Sequence, residues 1–127
     1  MTAAATYVFA GIPVSDLDVA RRWYERFMGR APDLIPNDVE AAWQLTETGW
    51  IYVILDPERA GSAVNTVLVD DLGGFLNGLR ERGVEVGSIE TLGTAARRSA
   101  VEDPDGNRLN VGQPMSEREQ RAVGRVS

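Results

Sequence analysis

The sequence repeats one pattern twice, and this repeat limits the folds that the chain can adopt. The segment YVFAGIPVSDLDVARRWYERFMGR is followed later by SAVNTVLVDDLGGFLNGLRERGVE, and the four residues from Val14 align with the four from Val69. Each copy begins with a short apolar stretch typical of a strand, followed by a polar cap and helical spacing. Because an internal repeat sets the architecture, one strand-helix unit is expected to occur twice.

The first copy predicts a helix with a defined start and end. Ser15 is the expected N-cap, with Asp18 in a capping-box-like pair, and Asp16 and Asp18 are the acidic residues expected to shape this cap. Apolar residues then recur every three or four positions and form one face. That face includes Trp23 and Tyr24, which are expected to lie in the core. Gly29 is the expected C-terminal stop.

The second copy predicts another helix, and the segment DPDGN predicts a turn near the end of the chain. Asp70 or Asp71 is the expected cap of the second helix, and Gly83 is its expected stop. Asp and Gly residues of this kind stabilise tight turns. Asp103 and Asp105 are therefore expected to shape the turn that leads into the last strand.

Three short strand candidates follow each helix. They lie at about residues 32–36, 39–47 and 50–56, and again at 84–90, 96–102 and 107–112. The pattern predicts an α+β fold with two βαβββ modules, in which a helix covers one face of each sheet and leaves the other face open. The expected boundaries are 6–56 for the first module, 57–62 for a linker and 63–113 for the second module. The polar tail at 114–127 is expected to be a short helix or frayed.

The composition removes most of the usual catalytic and metal-binding side chains. The 127 residues include no His, no Cys and no Lys, so every basic side chain is Arg. A Ser-His-Asp triad, a Cys nucleophile and a Lys Schiff base are all excluded. A metal site would depend on oxygen ligands, which suit Mg, Ca or Mn.

The charge and hydropathy patterns argue against nucleic-acid and membrane partners, and the negative charge by itself is also typical of an ordinary solvated surface. The formal charge of −6 argues against nucleic acid, which requires a basic surface, and is compatible with cationic small molecules. No apolar run approaches the roughly 18–20 residues of a membrane span. The first ten residues lack the basic region of a signal peptide. We therefore expect a cytoplasmic protein that binds neither nucleic acid nor membrane.

Two segments carry a resemblance to a known family. PVSDLDVARRWYERFMG near the start and VEDPDGNRLNV near the end together resemble the vicinal oxygen chelate superfamily, also called the glyoxalase/bleomycin-resistance/dioxygenase family. The resemblance spans about residues 6–113. It implies that the two βαβββ modules form a curled mixed sheet around a cavity, often in a homodimer. In metal-using members, four ligands, usually His and Glu, come from the first and last strands of each module.

The resemblance places four residues of this chain at those ligand positions. They are Phe9, Tyr52, Val64 and Asn110. None is a good divalent-metal ligand, since only Asn110 offers a carbonyl oxygen. The resemblance therefore implies a member that has lost the metal site, and we expect no metal and no other cofactor. The Asn110 amide remains able to orient a ligand, or else to bind a neighbouring strand or a water molecule.

Further residues are expected to line the cavity. Strand alternation puts Trp50 on the face of Tyr52 and Thr66 on the face of Val64. One residue of the Arg97-Arg98 pair faces inward and clamps a carboxylate or phosphate, or the pair is exposed to solvent or forms a salt bridge at the rim. The aromatic residues line a ligand site or simply fill the core. The candidate ligand-binding residues are Phe9, Trp43, Trp50, Tyr52, Val64, Thr66, Arg98 and Asn110.

Several functions remain open from the sequence. The favoured one is a metal-independent binding protein, similar to drug-sequestering members that hold a bulky, often cationic antibiotic between two subunits. The alternative is a metal-free isomerase, lyase or cyclase that uses Tyr52 or a buried carboxylate of Glu40, Glu47 or Glu102. A regulatory module and a metalloenzyme with oxygen ligands complete the set. No catalytic residue is identified.

Overall fold

Each repeat folds as a strand, a helix and three further strands. The computed structural model describes residues 3–116. Its elements are β1 (Val8–Val14), α1 (Leu17–Met28), β2 (Leu34–Asn37), β3 (Glu40–Gln44), β4 (Gly49–Leu55), β5 (Val64–Leu68), α2 (Leu72–Glu81), β6 (Glu90–Leu92), β7 (Ala96–Glu102) and β8 (Arg108–Pro114). The strand orders, β1-β4-β3-β2 and β5-β8-β7-β6, are the same in both sheets. The predicted α+β class with two βαβββ modules is confirmed.

The chain forms two compact units. The first runs to Ala63 and also includes Asp103–Asn107, whereas the second runs from Val64 to Glu102 and resumes at Arg108. In each sheet the first and last strands of the module pair in parallel, and the other pairs are antiparallel. Both sheets are therefore mixed.

In the first unit, α1 packs on one face of the sheet. Tyr24 and Phe27 are buried, and the ring centroid of Tyr24 lies 6.0 Å from that of Trp43 on β3. Ile51 and Val53 of β4 are buried on the same face. Burial of these apolar side chains supplies the main stabilisation of the unit. The prediction that Trp23 and Tyr24 belong to the core is confirmed, since both are buried.

The start of α1 differs from the prediction. The N-cap is Asp16, whose Oδ1 accepts a hydrogen bond from the Val19 N–H at 3.0 Å. The prediction of Ser15 was wrong because Ser15 binds Asp105 instead, through its N–H at 3.0 Å and through its hydroxyl. The predicted stop at Gly29 is confirmed, and its φ of 76° is a conformation that favours glycine.

The turn from Asp103 to Asn107 is held by its own side chains. Oδ1 of Asp103 accepts hydrogen bonds from the N–H groups of Asp105 and Asn107, each at 2.9 Å. Gly106 has a φ of 93°, which a residue with a Cβ rarely adopts. The predicted turn-shaping role is therefore confirmed for Asp103. Asp105 instead uses its carboxylate to bind Ser15.

In the second unit, α2 packs on one face of its own sheet. Leu72, Leu76 and Leu79 are buried, as are Leu109 and Val111 of β8. The helix is capped by one of the two predicted residues. It is Asp71, whose Oδ1 accepts from the Gly74 N–H at 3.0 Å.

One predicted strand of the second unit was misplaced. The sequence predicted a strand at 84–90, but β6 spans only Glu90–Leu92, and the residues before it are irregular. Val84 is buried against the end of α2, with its N–H bonded to Leu79 O at 2.9 Å. Gly87 forms two isolated hydrogen bonds with β7. Its N–H donates to Ala100 O, and its carbonyl oxygen accepts from the Ser99 hydroxyl. These isolated bonds replace the regular ladder that a strand requires.

The predicted tail falls partly outside the described residues. Pro114 belongs to β8 and Met115 is buried, whereas residues 117–127 lie outside the part of the chain that the structure describes. Within residues 3–116, the helices are too short or too polar for any of them to span a bilayer.

Candidate ligand-binding site

The face of the first sheet opposite α1 carries three aromatic rings. Phe9 of β1 lies directly across from Trp50 of β4, and their rings stack with centroids 5.4 Å apart and planes 19° apart. Tyr52, two residues further along β4, lies on the same face. We call Phe9, Trp50 and Tyr52 the aromatic face. Phe9 keeps 50% of its surface exposed, so this stacked pair is available to a ligand.

Trp43, which the sequence placed beside these residues, lies on the other side of the sheet. Its register partner is Ile51, and it is fully buried against α1. Its indole Nε1–H donates to Arg30 O at 3.0 Å. The structure therefore places Trp43 in the core beneath the helix, away from the aromatic face.

The negative charge of the chain is concentrated on the first unit. This unit contains eleven acidic and five basic side chains, a formal charge of −6, whereas the second contains eight of each and is formally neutral. On the aromatic side of β1, β3 and β4, no residue is basic and Glu40 is the acidic one. Glu40 Oε1 accepts from Asn37 Nδ2 at 2.7 Å. The aromatic face thus belongs to the unit that carries the net negative charge.

The face of the second sheet opposite α2 is polar by comparison. Thr66 of β5 and Ala100 of β7 flank Asn110 of β8 on either side. Val64 is 66% exposed, whereas Asn110 is 5% exposed. Oδ1 of Asn110 is buried without a hydrogen-bond partner in the described residues. An unsatisfied buried acceptor of this kind carries a cost, and a donor from a ligand or water would remove it.

Arg98 lies on the same polar side of the second sheet. Its Nε is 3.9 Å from Oε2 of Glu90 on the neighbouring strand, and its side chain is about one-third exposed. Further along this side, Arg108 and Glu102 approach to 3.7 Å. Arg98 therefore faces this side as predicted for one member of the pair, with an acidic neighbour close to its guanidinium.

Sequence reasoning did not consider one residue of the aromatic side. Gly11 lies across from Tyr52, and the tyrosine ring covers it closely. A glycine inside a strand is itself a signal, because it often marks the close approach of another group.

The carboxylates proposed for catalysis are poorly placed for acid–base work. Glu47 and Glu102 are exposed, and Glu40 is half-buried and bonded to Asn37. Asp103 is the one acidic residue that is buried within residues 3–116. Its two oxygens accept four hydrogen bonds, from the Tyr24 hydroxyl, the Asn107 amide and two backbone N–H groups. Asp103 therefore holds the turn and has no free lone pair directed at a cavity.

The sequence matches the model of one protein superfamily over most of its length. Residues 6–111 match the model of the Glyoxalase/Bleomycin resistance protein/Dioxygenase superfamily. The chain belongs to this superfamily. No curated protein matches the chain significantly.

Solved structures of the superfamily resemble the chain over most of its length. A glyoxalase/bleomycin resistance protein from Catenulispora acidiphila DSM 44928 is 38% identical, with a TM-score of 0.82 over 87% of this chain and 100% of that one. TnmS3, an antibiotic-binding protein from Streptomyces sp. CB03234, is 23% identical, with a TM-score of 0.73 over 91% and 100%. A bleomycin-binding protein complexed with bleomycin is 21% identical, with a TM-score of 0.70 over 90% and 100%. The last two likenesses show a shared fold.

The ligand positions of metal-using superfamily members do not fit a metal here. In the first unit they hold Phe9 and Tyr52, and in the second Val64 and Asn110. Phe9 and Val64 have no donor atom, and a single amide oxygen is a weak ligand for a divalent cation. Within the described residues, no three acidic side chains come together in a group able to hold a metal ion. These residues therefore offer no shell for the superfamily's metal.

Proposed function

We propose that the protein is a metal-independent binding protein for a planar aromatic small molecule, with a preference for a cation. The observation that carries the proposal is the stacked Phe9–Trp50 pair, which remains partly exposed on a face without basic side chains. A flat ligand can continue such a stack, and each aromatic contact adds about 0.5–1.5 kcal/mol beyond the area it buries.

The preference for a cation rests on the charge of the first unit. A formal charge of −6 lies on the unit that carries the aromatic face. Aromatic rings attract cations through their negative faces, by about 0.5–2 kcal/mol. A net negative field also raises the local concentration of cations and speeds their association at low salt. Both effects disfavour an anionic ligand of the same shape.

Two structural neighbours support a binding role. One is an antibiotic-binding protein and another was solved with bleomycin. Their likeness to this chain is one of fold, and the fold hosts unrelated functions. The aromatic face is the feature of this chain that makes the same role chemically reasonable. We infer that the protein sequesters an aromatic antibiotic or a similar compound and releases it unchanged.

Three tricyclic probes of similar size test this function. They are 9-aminoacridine, which is a cation, anthracene-9-methanol, which is neutral, and anthracene-9-carboxylate, which is an anion. Titration calorimetry should give the tightest binding for the cation and the weakest for the anion. The cation should bind more weakly as salt rises to about 1 M, where the screening length falls to about 3 Å. Treatment with EDTA should leave its affinity unchanged.

Matched variants connect binding to the aromatic face. Trp50→Ala and Phe9→Ala should each weaken 9-aminoacridine binding about 3- to 10-fold, as expected for the loss of one aromatic contact. Val19→Ala removes an exposed apolar side chain from α1 and should leave the affinity within about twofold. Failure of the wild-type protein to bind any probe would refute the proposal, as would recovery of a chemically altered probe.

The enzymatic alternative lacks a suitable carboxylate. A metal-free isomerase, lyase or cyclase needs an acid or base of tuned pKa near the substrate. Glu47 and Glu102 are exposed to solvent, and Asp103 is fully hydrogen-bonded within its turn. Tyr52 and Glu40 are the remaining candidates of the predicted set on the aromatic side of the first sheet, and Oε1 of Glu40 is bonded to Asn37. No observed feature favours this alternative over binding.

Two further expectations remain predictions. We expect a two-fold homodimer, as is common for soluble oligomers, and the exposed Leu34 and Ile35 of β2 provide apolar surface for it. Sedimentation equilibrium measures the mass directly, and a monomer at all concentrations would contradict this prediction. The expected cytoplasmic location is tested by fractionating cells that express the full chain.

A further inference from the structure

Gly11 and Tyr52 form a close cross-strand pair on the aromatic side of the first sheet. They are register partners in the parallel pairing of β1 with β4. A Cβ placed on Gly11 would lie 2.6 Å from Cζ and 2.6 Å from Oη of Tyr52. A Cβ atom and a non-bonded atom in a real protein essentially never approach so closely. The outer end of the tyrosine ring therefore occupies the space that a side chain at position 11 would need.

Space, and not backbone conformation, makes glycine necessary here. Gly11 is absent from the glycines with positive φ, which include Gly29 and Gly106. Its backbone is that of an ordinary strand residue, which any amino acid can adopt. Glycine in a strand weakens the strand unless a neighbouring group covers it, and a cross-strand aromatic ring provides such cover.

The second unit does not repeat this arrangement. Its equivalent register pair is Thr66 of β5 opposite Asn110 of β8. The two units share their strand order and pairing, so the comparison is direct. The combination of glycine and aromatic ring therefore accompanies the aromatic face and is not a requirement of the fold.

We propose that Gly11 is a specificity-determining residue of the ligand site, because it allows the Tyr52 ring to lie against β1. The pair lies two residues along the strands from the Phe9–Trp50 stack. Because the Tyr52 ring lies against the strand, it does not project into the space beside the Phe9–Trp50 stack. A fused planar ligand can then extend over that space. A side chain at position 11 would push the ring outward, into the space above the sheet. This inference rests on the proposed function and names the shape of ligand that the site selects.

Two cationic probes of different shape test the inference. The planar probe is 9-aminoacridine, and the compact non-planar probe is 1-aminoadamantane. Gly11→Ala should weaken binding of the planar probe about 3- to 10-fold, the loss expected for one aromatic contact. Binding of the non-planar probe should stay within about twofold. Equal loss for both probes, or no loss for the planar one, would overturn the inference.

A double-mutant cycle shows whether Gly11 acts through Tyr52. Tyr52→Val removes the ring, so Gly11→Ala should have no further effect on planar-probe binding in that background. Tyr52→Val should bind the planar probe more weakly than the wild type does, and Tyr52→Phe, which retains the ring, should bind it more tightly than Tyr52→Val. These variants remain informative if Gly11→Ala alone does not fold. The inference fails if Tyr52→Val binds the planar probe as tightly as the wild type.

The same experiments separate this inference from the proposed function. If the wild type binds neither 9-aminoacridine nor its neutral and anionic counterparts, the proposed function fails and the inference fails with it. If Trp50→Ala weakens binding while Gly11→Ala does not, the proposed function stands and only the inference fails. Melting temperature is measured in parallel. A purely structural role for Gly11 would lower that temperature without changing the affinity of the folded protein, and this result would also overturn the inference.

Discussion

The hydroxyl of Tyr24 on α1 donates a hydrogen bond of 2.8 Å to Oδ2 of Asp103, a residue 79 positions further along the chain. Both residues are buried, and all the donors to Asp103 are neutral groups. The bond ties the turn that follows β7 to the first unit, to which that turn belongs. It also orders a segment that lies far from α1 in sequence.

Tyr24→Phe should destabilise the protein by about 1.5–3 kcal/mol, because it removes one hydrogen bond to a charged group. Urea denaturation followed by circular dichroism measures the change. Tyr7→Phe is the matched control, since Tyr7 is 56% exposed and its hydroxyl should contribute within about 0.5 kcal/mol. Equal effects of the two substitutions would contradict the role assigned to the Tyr24–Asp103 bond.

The same tyrosine should make stability fall at alkaline pH. Burial, and secondarily the Asp103 carboxylate, raises the pKa of Tyr24 far above its ordinary value. In the unfolded chain this group loses its proton near pH 10. Above that pH the unfolded state binds fewer protons than the folded state, so the free energy of unfolding falls as pH rises, by about 1.4 kcal/mol per pH unit. Below it, the Tyr24 contribution is constant.

Comparison of the wild type with Tyr24→Phe isolates this contribution. Urea denaturation is repeated from about pH 8 to about pH 11, across the ordinary tyrosine pKa. The stability difference between the two proteins should be constant at first and shrink above about pH 10. A difference that stays constant over the whole range would show that Tyr24 does not titrate in the expected way.

Asn107 should be among the most sensitive positions of the first unit. It is almost fully buried, and its Oδ1 accepts from the N–H groups of Gly61 and Ala63, each at 3.0 Å. Its Nδ2 donates to Pro13 O at 2.8 Å and to Asp103 Oδ2 at 2.9 Å. Asn107→Asp keeps the shape but removes both donors and brings a second carboxylate to Asp103. We expect a loss of at least about 3 kcal/mol in urea denaturation.

Asn77→Asp is the control for this substitution. Asn77 lies on the exposed side of α2, and its Oδ1 accepts from Arg80 Nη1 at 3.0 Å. A carboxylate there keeps the acceptor, so its effect should stay within about 0.5 kcal/mol. If Asn107→Asp were as mild as this control, the Asn107 contacts would not hold the turn.

The repeat in the sequence predicted the architecture because its signals are local. Helical spacing, the glycine at position 29 and the cap at Asp71 each depend on a few neighbouring residues. The Ser15 prediction failed because its hydroxyl and N–H bind Asp105, which lies 90 positions away. Local pattern therefore identified both helices, while a long-range contact decided which residue caps the first.

The placement of the site residues needed strand register, which the sequence does not encode locally. Alternation correctly put Trp50 and Tyr52 on one side of β4. It does not relate one strand to the next, so the prediction that Trp43 lies beside them was wrong: Trp43 pairs with Ile51 and lies under α1. The strand expected at 84–90 also depended on a contact that the local pattern does not show. Val84 is buried at the end of α2 and does not pair with another strand.

Replacement of Asn110 by residues of similar shape tests its unpartnered oxygen. Asn110→Leu keeps the number of heavy atoms and removes the buried, unpartnered Oδ1. The free protein should therefore keep its stability or gain about 1 kcal/mol, since an unsatisfied buried acceptor costs about 1–3 kcal/mol. Asn110→Asp puts an ionised group in the same place and should destabilise the protein at neutral pH. That loss should shrink in acid as the carboxyl takes up a proton, because the buried carboxyl binds protons more readily than it does in the unfolded chain.

Urea denaturation of the three proteins at neutral and acidic pH measures these changes. A clear loss of stability in Asn110→Leu would mean that the amide oxygen is satisfied in solution, by a bound water molecule, and that a ligand reaching it would first have to displace that water.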